Sequence, residues 1–342
     1  MLADILNTEI DLEVLDTAEN GEDLIQKIRV HHPDLVIADY YLPKNHRMFV
    51  FRRIQHEFNI PILMIIGKEQ VSEDFIFEAM KIGVYDYVKI ANNTRFPQFR
   101  SISNEIVTKV RAVMDIKAHQ LGLQHRELPV PLATRGGSAV RAAHKEPSCL
   151  VVLGGSTGGT KALETIIRGL SQQLSAAVLV AVHLPEKFTR SFTLRLRSLT
   201  PLKVVEGRAG VRLESGKIIV APGDKNMMVS RNMGLKNDWR IAFSEEPTEA
   251  FDRPSVDILM KSVARLAGAK TLGVVLTGMG QDGTQGTKAI LSKGGETIAQ
   301  DEASSAIFGM AKSAIEKGNI TKVLGLSQIP DYINRFAEYH RI

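Results

Sequence analysis

The sequence predicts two α/β units, each built on a largely parallel sheet, and three observations carry that prediction. Short, near-continuous apolar runs alternate with helical patterns, as they do where strands of a parallel sheet are buried on both faces. The alternation fades once, between about Lys117 and Pro147, where Pro129, Pro131, Gly136, Gly137 and Pro147 gather. A length of 342 residues suits two domains better than one. The expected division is residues 1–115, a linker over 116–147, and a second domain over 148–342.

In the first segment, Leu12-Glu13-Val14-Leu15 reads as a strand, followed by a helix through Asp23–Ile28. Then come the strand Leu35–Ala38, a helix from about Met48 to Phe58, the strand Ile62–Ile66, a helix from Asp74 to Ile82, and Tyr87-Val88-Lys89. In the second, strands are expected at Leu150–Leu153, Val178–Val182, Ile218–Val220, Thr271–Leu276 and Thr297–Ala299. Helices are expected to start near Thr157, Phe188, Ser255, Asp282 and Phe308.

Composition excludes several classes. With 44% apolar and 24% charged residues the chain has enough material for two cores. No apolar run reaches the roughly 18 residues of a membrane span, and Met1-Leu2-Ala3-Asp4 opens no export signal. The single cysteine, Cys149, reads as a small buried residue in a reducing cytosol, so the expected location is cytoplasmic. The charge of +5 is spread without aromatic interleaving, which argues against nucleic acid as a partner.

The chemistry is concentrated at three strand ends. Leu150–Leu153 runs into Gly154-Gly155-Ser156-Thr157-Gly158, a G-x-S-x-G turn that sets a hydroxyl beside the free N–H groups of a helix starting near Thr157. The same strand–glycine–helix pattern also serves as a phosphate or nucleotide cradle, here over Gly154–Gly159, although neither a strict G-x-G-x-x-G nor a Walker lysine is present. His183 follows the apolar run Val178–Val182, where it is either a general base or a hydrogen-bonded strand-end histidine. Asp282 follows Leu276-Thr277-Gly278-Met279-Gly280-Gln281, where it either orients a base or caps the next helix. Open parallel sheets place their sites at strand C-terminal ends, and Ser, His and Asp together are the parts of a hydrolytic triad.

These segments, with Phe188–Phe192, Ala221-Pro222-Gly223-Asp224 and Arg253-Pro254-Ser255-Val256-Asp257, resemble the catalytic domain of the chemotaxis protein-glutamate methylesterases from Leu150 to Leu326. The resemblance implies hydrolysis of glutamyl methyl esters on chemoreceptor cytoplasmic domains, often with deamidation of receptor glutamines, and no cofactor. It implies Ser156 as nucleophile, His183 as base, Asp282 as its orienting acid, and the Met279 N–H as an oxyanion donor.

The first segment resembles a response-regulator receiver. Asp39-Tyr40-Tyr41-Leu42-Pro43 carries the phospho-acceptor position, and Gly83–Lys89 the fifth strand with its lysine. The copy departs from the pattern: the first strand and its acidic pair are missing, Ile66 stands where Thr or Ser is usual, and His46-Arg47 replaces Asp-Gly. Asp39 alone cannot supply the oxygens that Mg²⁺ needs. The resemblance implies a chemotaxis histidine kinase as partner; the departures imply a regulatory or docking role that does not depend on phosphorylation.

Overall fold

The computed structural model describes residues 2–39, 41–44, 48–66, 79, 82, 84–89, 103–104, 106–107, 109–111, 145–184, 186–231, 238–246 and 253–341, without the side chains of residues 85, 89 and 187. The chain divides into two compact units, Met1–Gly122 and Leu123–Ile342. Most of the expected linker and of the helix Asp74–Ile82 lies outside the described residues.

The first unit runs α1 (Leu2–Leu6), α2 (Gly21–His31), β1 (Val36–Asp39), α3 (Phe49–Arg53, continued to Phe58 as a wider turn), β2 (Ile62–Ile66) and β3 (Val84–Lys89). Helix α2 begins where the Asn20 side chain accepts the N–H groups of Glu22 and Asp23, at 3.1 and 3.2 Å, offsetting two of its orphan donors. The three strands are parallel in the order β1-β2-β3. Leu6, Leu63, Ile65, Val88, Ile106, Val107 and Val110 form the core on one side of that sheet.

The strand expected at Leu12–Leu15 is not formed; residues 12–18 make no ladder. In a 2-1-3-4-5 sheet its partner is the central first strand. No described strand occupies that place beside β1. Leu12 and Val14 instead pack onto the unit's core as partly buried side chains.

The second unit runs β4 (Leu150–Gly155), α4 (Gly159–Gly169), β5 (Ala177–Val182), α5 (Glu186–Arg197), β6 (Lys203–Glu206), β7 (Lys217–Val220), β8 (Asn226–Arg231), β9 (Trp239–Ser244), α6 (Val256–Ala267), β10 (Thr271–Val275), α7 (Thr284–Ser292), β11 (Glu296–Gln300), α8 (Met310–Glu316), β12 (Lys322–Leu324) and α9 (Ile329–Tyr339). Seven strands form a parallel sheet in the order β12-β11-β10-β4-β5-β7-β6, while β8 and β9 pair antiparallel as a separate hairpin. The sheet is buried because helices cover both faces. On one face α6 presents Val256, Leu259, Met260 and Val263 to Val152, Leu179 and Ala181, with the hairpin's Met227, Val229 and Ile241 in the same core. The approach is close. A Cβ on Gly154 would lie 2.2 Å from Val256 Cγ1, so the strand carrying the serine needs glycine there. Helix α4 follows β4, burying Leu163, Ile166 and Ile167, and also packs against α9.

Chain order reverses at β4, which lies between β5 on one side and β10 on the other. This is the topological switch point, where the strand ends leave a crevice.

Candidate active site

The three residues singled out from sequence leave β4, β5 and the loop after β10 at that crevice. Gly155 and Val182 are register partners on β4 and β5, so the next residues, Ser156 and His183, leave adjacent strands side by side. Neighbouring strands lie about 4.8 Å apart. The His183 N–H donates to Gly155 O at 3.3 Å and the Ser156 N–H to Thr277 O at 3.0 Å, tying the serine turn to both flanking strand ends. Among the described residues the Ser156 hydroxyl makes no hydrogen bond, to His183 or to any other protein group.

His183 and Asp282 meet directly, with Nε2 2.9 Å from Oδ2 and both side chains almost wholly buried. The carboxylate binds the Nε2 side, so Nδ1 is the nitrogen left for proton traffic; in the chymotrypsin arrangement the two nitrogens have the opposite duties.

Asp282 carries more than the histidine. Its Oδ2 accepts the Val256 N–H at 2.7 Å, and its Oδ1 accepts the N–H groups of Asp257 at 2.8 Å and Gly283 at 3.0 Å and the Ser255 hydroxyl at 3.2 Å. Asp282 thus caps α6 rather than the helix that follows it; α7 starts after Gly283. Burial pushes the Asp282 carboxyl up, but the bond and charge of His183 and the N–H groups of Asp257 and Val256 outweigh it and hold the group below its ordinary 3.8. It is therefore a charged acceptor across the pH range in which a histidine works.

Thr277, not singled out from sequence, organises the serine turn. Its carbonyl holds the Ser156 N–H, its hydroxyl donates to Thr157 O at 3.0 Å, and the same oxygen accepts the Ile307 N–H at 2.9 Å. Gln300, wholly buried at the end of β11, accepts the Thr277 N–H at 3.0 Å. Buried Thr and Gln beyond apolar strands were the available signal, but their partners lie 120 and 23 residues away in sequence.

The loop after Thr277 passes very close to the serine. A Cβ on Gly278 would lie 2.8 Å from Ser156 Cβ and 2.9 Å from Ser156 N. Beyond it Met279 is exposed. The N–H groups of Thr157 and Met279 have no protein acceptor among the described residues, as oxyanion donors require. Gly278→Ala should therefore displace this loop, lowering kcat by about 100-fold with KM little changed, checked by steady-state kinetics on a methyl ester substrate.

The phosphate-cradle alternative fares worse. The space a side chain would take at Gly154 is filled by Val256, and at Gly158, whose φ is 76°, by Ala306 Cβ at 2.5 Å. Packing against these protein atoms accounts for both glycines without a phosphate.

In the first unit, Asp39 ends β1, is exposed, and accepts the Tyr41 N–H at 2.7 Å. Register places Ile65 beside Asp39 and Lys89 beside Ile66, so the three receiver positions share one sheet edge. Ile66 is buried and offers no hydroxyl. His46-Arg47 and the Lys89 side chain lie outside the described residues. Among the described residues no group of three His, Cys, Asp or Glu side chains could hold a metal ion.

Residues 151–333 match the family model described as CheB methylesterase, and residues 1–93 that of the response regulator receiver domain. A protein-glutamate methylesterase/protein-glutamine glutaminase of Pyrococcus horikoshii is 34% identical over 342 residues, spanning all of this chain and 91% of its own length. The protein of the same name from Archaeoglobus fulgidus is 35% identical over 340 residues, covering 98% of this chain and 94% of its own. The crystal structure of the Thermotoga maritima CheB methylesterase catalytic domain superposes with a TM-score of 0.52 at 35% identity, over 55% of this chain and 97% of that one.

Proposed function

Because the chain belongs to the CheB methylesterase family, we propose that it is a protein-glutamate methylesterase, with protein-glutamine glutaminase activity, acting on chemoreceptors through Ser156, His183 and Asp282. The observation that carries the reading is the buried His183–Asp282 pair beside a serine whose hydroxyl is free, at the switch point of a parallel sheet.

His183 takes the proton of Ser156 Oγ as that oxygen attacks the ester carbonyl. The tetrahedral oxyanion is met by the N–H groups of Met279 and Thr157, each donor worth about 100- to 1,000-fold in rate. The imidazolium returns its proton to the departing methoxide, which leaves as methanol, or, when the substrate is a glutamine, to the amide nitrogen, which leaves as ammonia. Water, deprotonated by the same imidazole, then releases the glutamate and frees the serine. Asp282 fixes the tautomer and stabilises the imidazolium without itself accepting a proton.

The cytoplasm is the compartment in which such a receptor domain is met, and among the described residues no helix is long and apolar enough to cross a membrane. Incubating the full chain with a methylated receptor fragment should release methanol, and with its glutamine form ammonia. Release of neither, from folded protein, contradicts the reading.

For the first unit we propose a regulatory role independent of phosphorylation, supported by the apolar Ile66 at the sheet edge that carries Asp39. Acetyl phosphate with Mg²⁺ should leave the chain unlabelled. Stoichiometric labelling of Asp39, read by intact mass, contradicts this.

A further inference from the structure

The helices that bring Asp282 to His183 exchange their caps. Asp282 stands just ahead of α7, yet its carboxylate accepts the Val256 and Asp257 N–H groups at the head of α6, at 2.7 and 2.8 Å. Asp257, in the first turn of α6, sends its carboxylate the other way, and its Oδ1 accepts the Gly286 N–H in the first turn of α7 at 2.6 Å. Each acid serves a helix start whose N–H groups have no intrahelical partner. The two starts are tightly apposed: a Cβ on Gly286 would lie 2.5 Å from Met260 Cβ and 3.2 Å from Asp257 Cα.

We infer that Asp257 is a positioning residue of the esterase, latching the start of α7 to the start of α6 so that the loop between Met279 and Asp282 keeps Asp282 on His183. The inference rests on the proposed triad. It adds a fourth side chain that touches neither His183 nor the serine and acts through the acid.

The arrangement has an electrostatic consequence. The Asp257 carboxylate lies in a partly buried corner, faced by Asp282 from the loop ahead of α7 and by Lys261 from α6. Burial and the Asp282 charge push the Asp257 carboxyl up to about 6, against the Gly286 N–H, Lys261 and the Gly283 N–H, which lower it. A carboxyl raised above its ordinary 3.8 contributes stability that is present below 3.8 and lost as pH rises through about 6. Above that pH, Asp257 adds a second negative charge beside Asp282.

The test compares the full-length wild type, Asp257→Asn and Asp257→Ala for kcat and KM on a methylated receptor fragment between pH 5 and 9. Asp257→Ala, which loses the latch, should lower kcat about tenfold or more with KM within about threefold. Asp257→Asn keeps an oxygen for the Gly286 N–H and should recover most of that loss. Wild-type kcat in Asp257→Ala, or a change confined to KM, would overturn the inference. If Asp257→Ala fails to fold, Asp257→Leu, which fills the same space without an acceptor for the Gly286 N–H, decides: wild-type kcat overturns the inference and a fall confined to kcat upholds it. A wild type without turnover would instead count against the proposed activity, keeping the two failures distinct.

Discussion

Asp282→Ala is expected to lower turnover by about 10⁴-fold and to destabilise the catalytic unit at the same time. The kinetic loss follows from the tautomer: without the carboxylate on Nε2, nothing holds Nδ1 ready to accept the serine proton, and in triad enzymes loss of the acid costs about that much. The stability loss follows from the cap. The N–H groups of Val256, Asp257 and Gly283 and the Ser255 hydroxyl all end on this one carboxylate. Leaving buried donors unpaired costs about 1–3 kcal/mol each where water cannot reach them, so a loss of about 4 kcal/mol or more is expected from the four together. Chemical denaturation of wild type and variant checks the second effect, and single-turnover kinetics the first. The sign with pH follows as well. Because the Asp282 carboxyl is held below its ordinary 3.8, its stabilisation is present above that value and lost as pH falls further.

Ser156→Ala is expected to do the opposite on the stability side. Its hydroxyl donates to no described protein group, while the backbone bonds of the turn, Ser156 N–H to Thr277 O at 3.0 Å and Gly159 N–H to Ser156 O at 2.7 Å, do not depend on the side chain. Stability should stay within about 0.5 kcal/mol of wild type. Turnover should fall by about 10⁴- to 10⁶-fold, since removing the nucleophile disables the triad as a unit and leaves only binding and oxyanion stabilisation. Methanol release by this folded variant at more than about a thousandth of the wild-type rate would require another nucleophile.

The buried strands and the residues at their C-terminal ends were the parts legible in the sequence. Runs such as Val178–Val182 are apolar because both faces are covered, and Ser156, His183 and Asp282 stand out as polar residues where such runs stop. Strands with weaker burial were missed: β6 and β12 are sheet edges with exposed lysines at Lys203 and Lys322, and the β8–β9 hairpin mixes buried and half-buried positions. Helix α9 was passed over too, its buried face being the spaced set Ile329, Ile333, Phe336 and Ala337. Leu12–Leu15 failed in the other direction, because a strand needs a partner as well as a pattern.

The cross-capping was beyond sequence reading. Asp282 looks like the cap of the helix after it, and only the packing of α6 against the start of α7 redirects it to Val256 and Asp257. Thr277 is likewise ordinary in sequence. Its three bonds around the serine turn exist because β4 and β10 are neighbours with Gly154 and Val275 in register.

The central claim is that a free serine hydroxyl is activated by a histidine held on a buried carboxylate. Reaction with a fluorophosphonate probe, followed by peptide mass mapping, tests it most directly. One adduct per chain is predicted, on Ser156, slowed by His183→Ala and blocked by methylated receptor. An adduct on a different residue, or undiminished esterase turnover after complete labelling elsewhere, would contradict it.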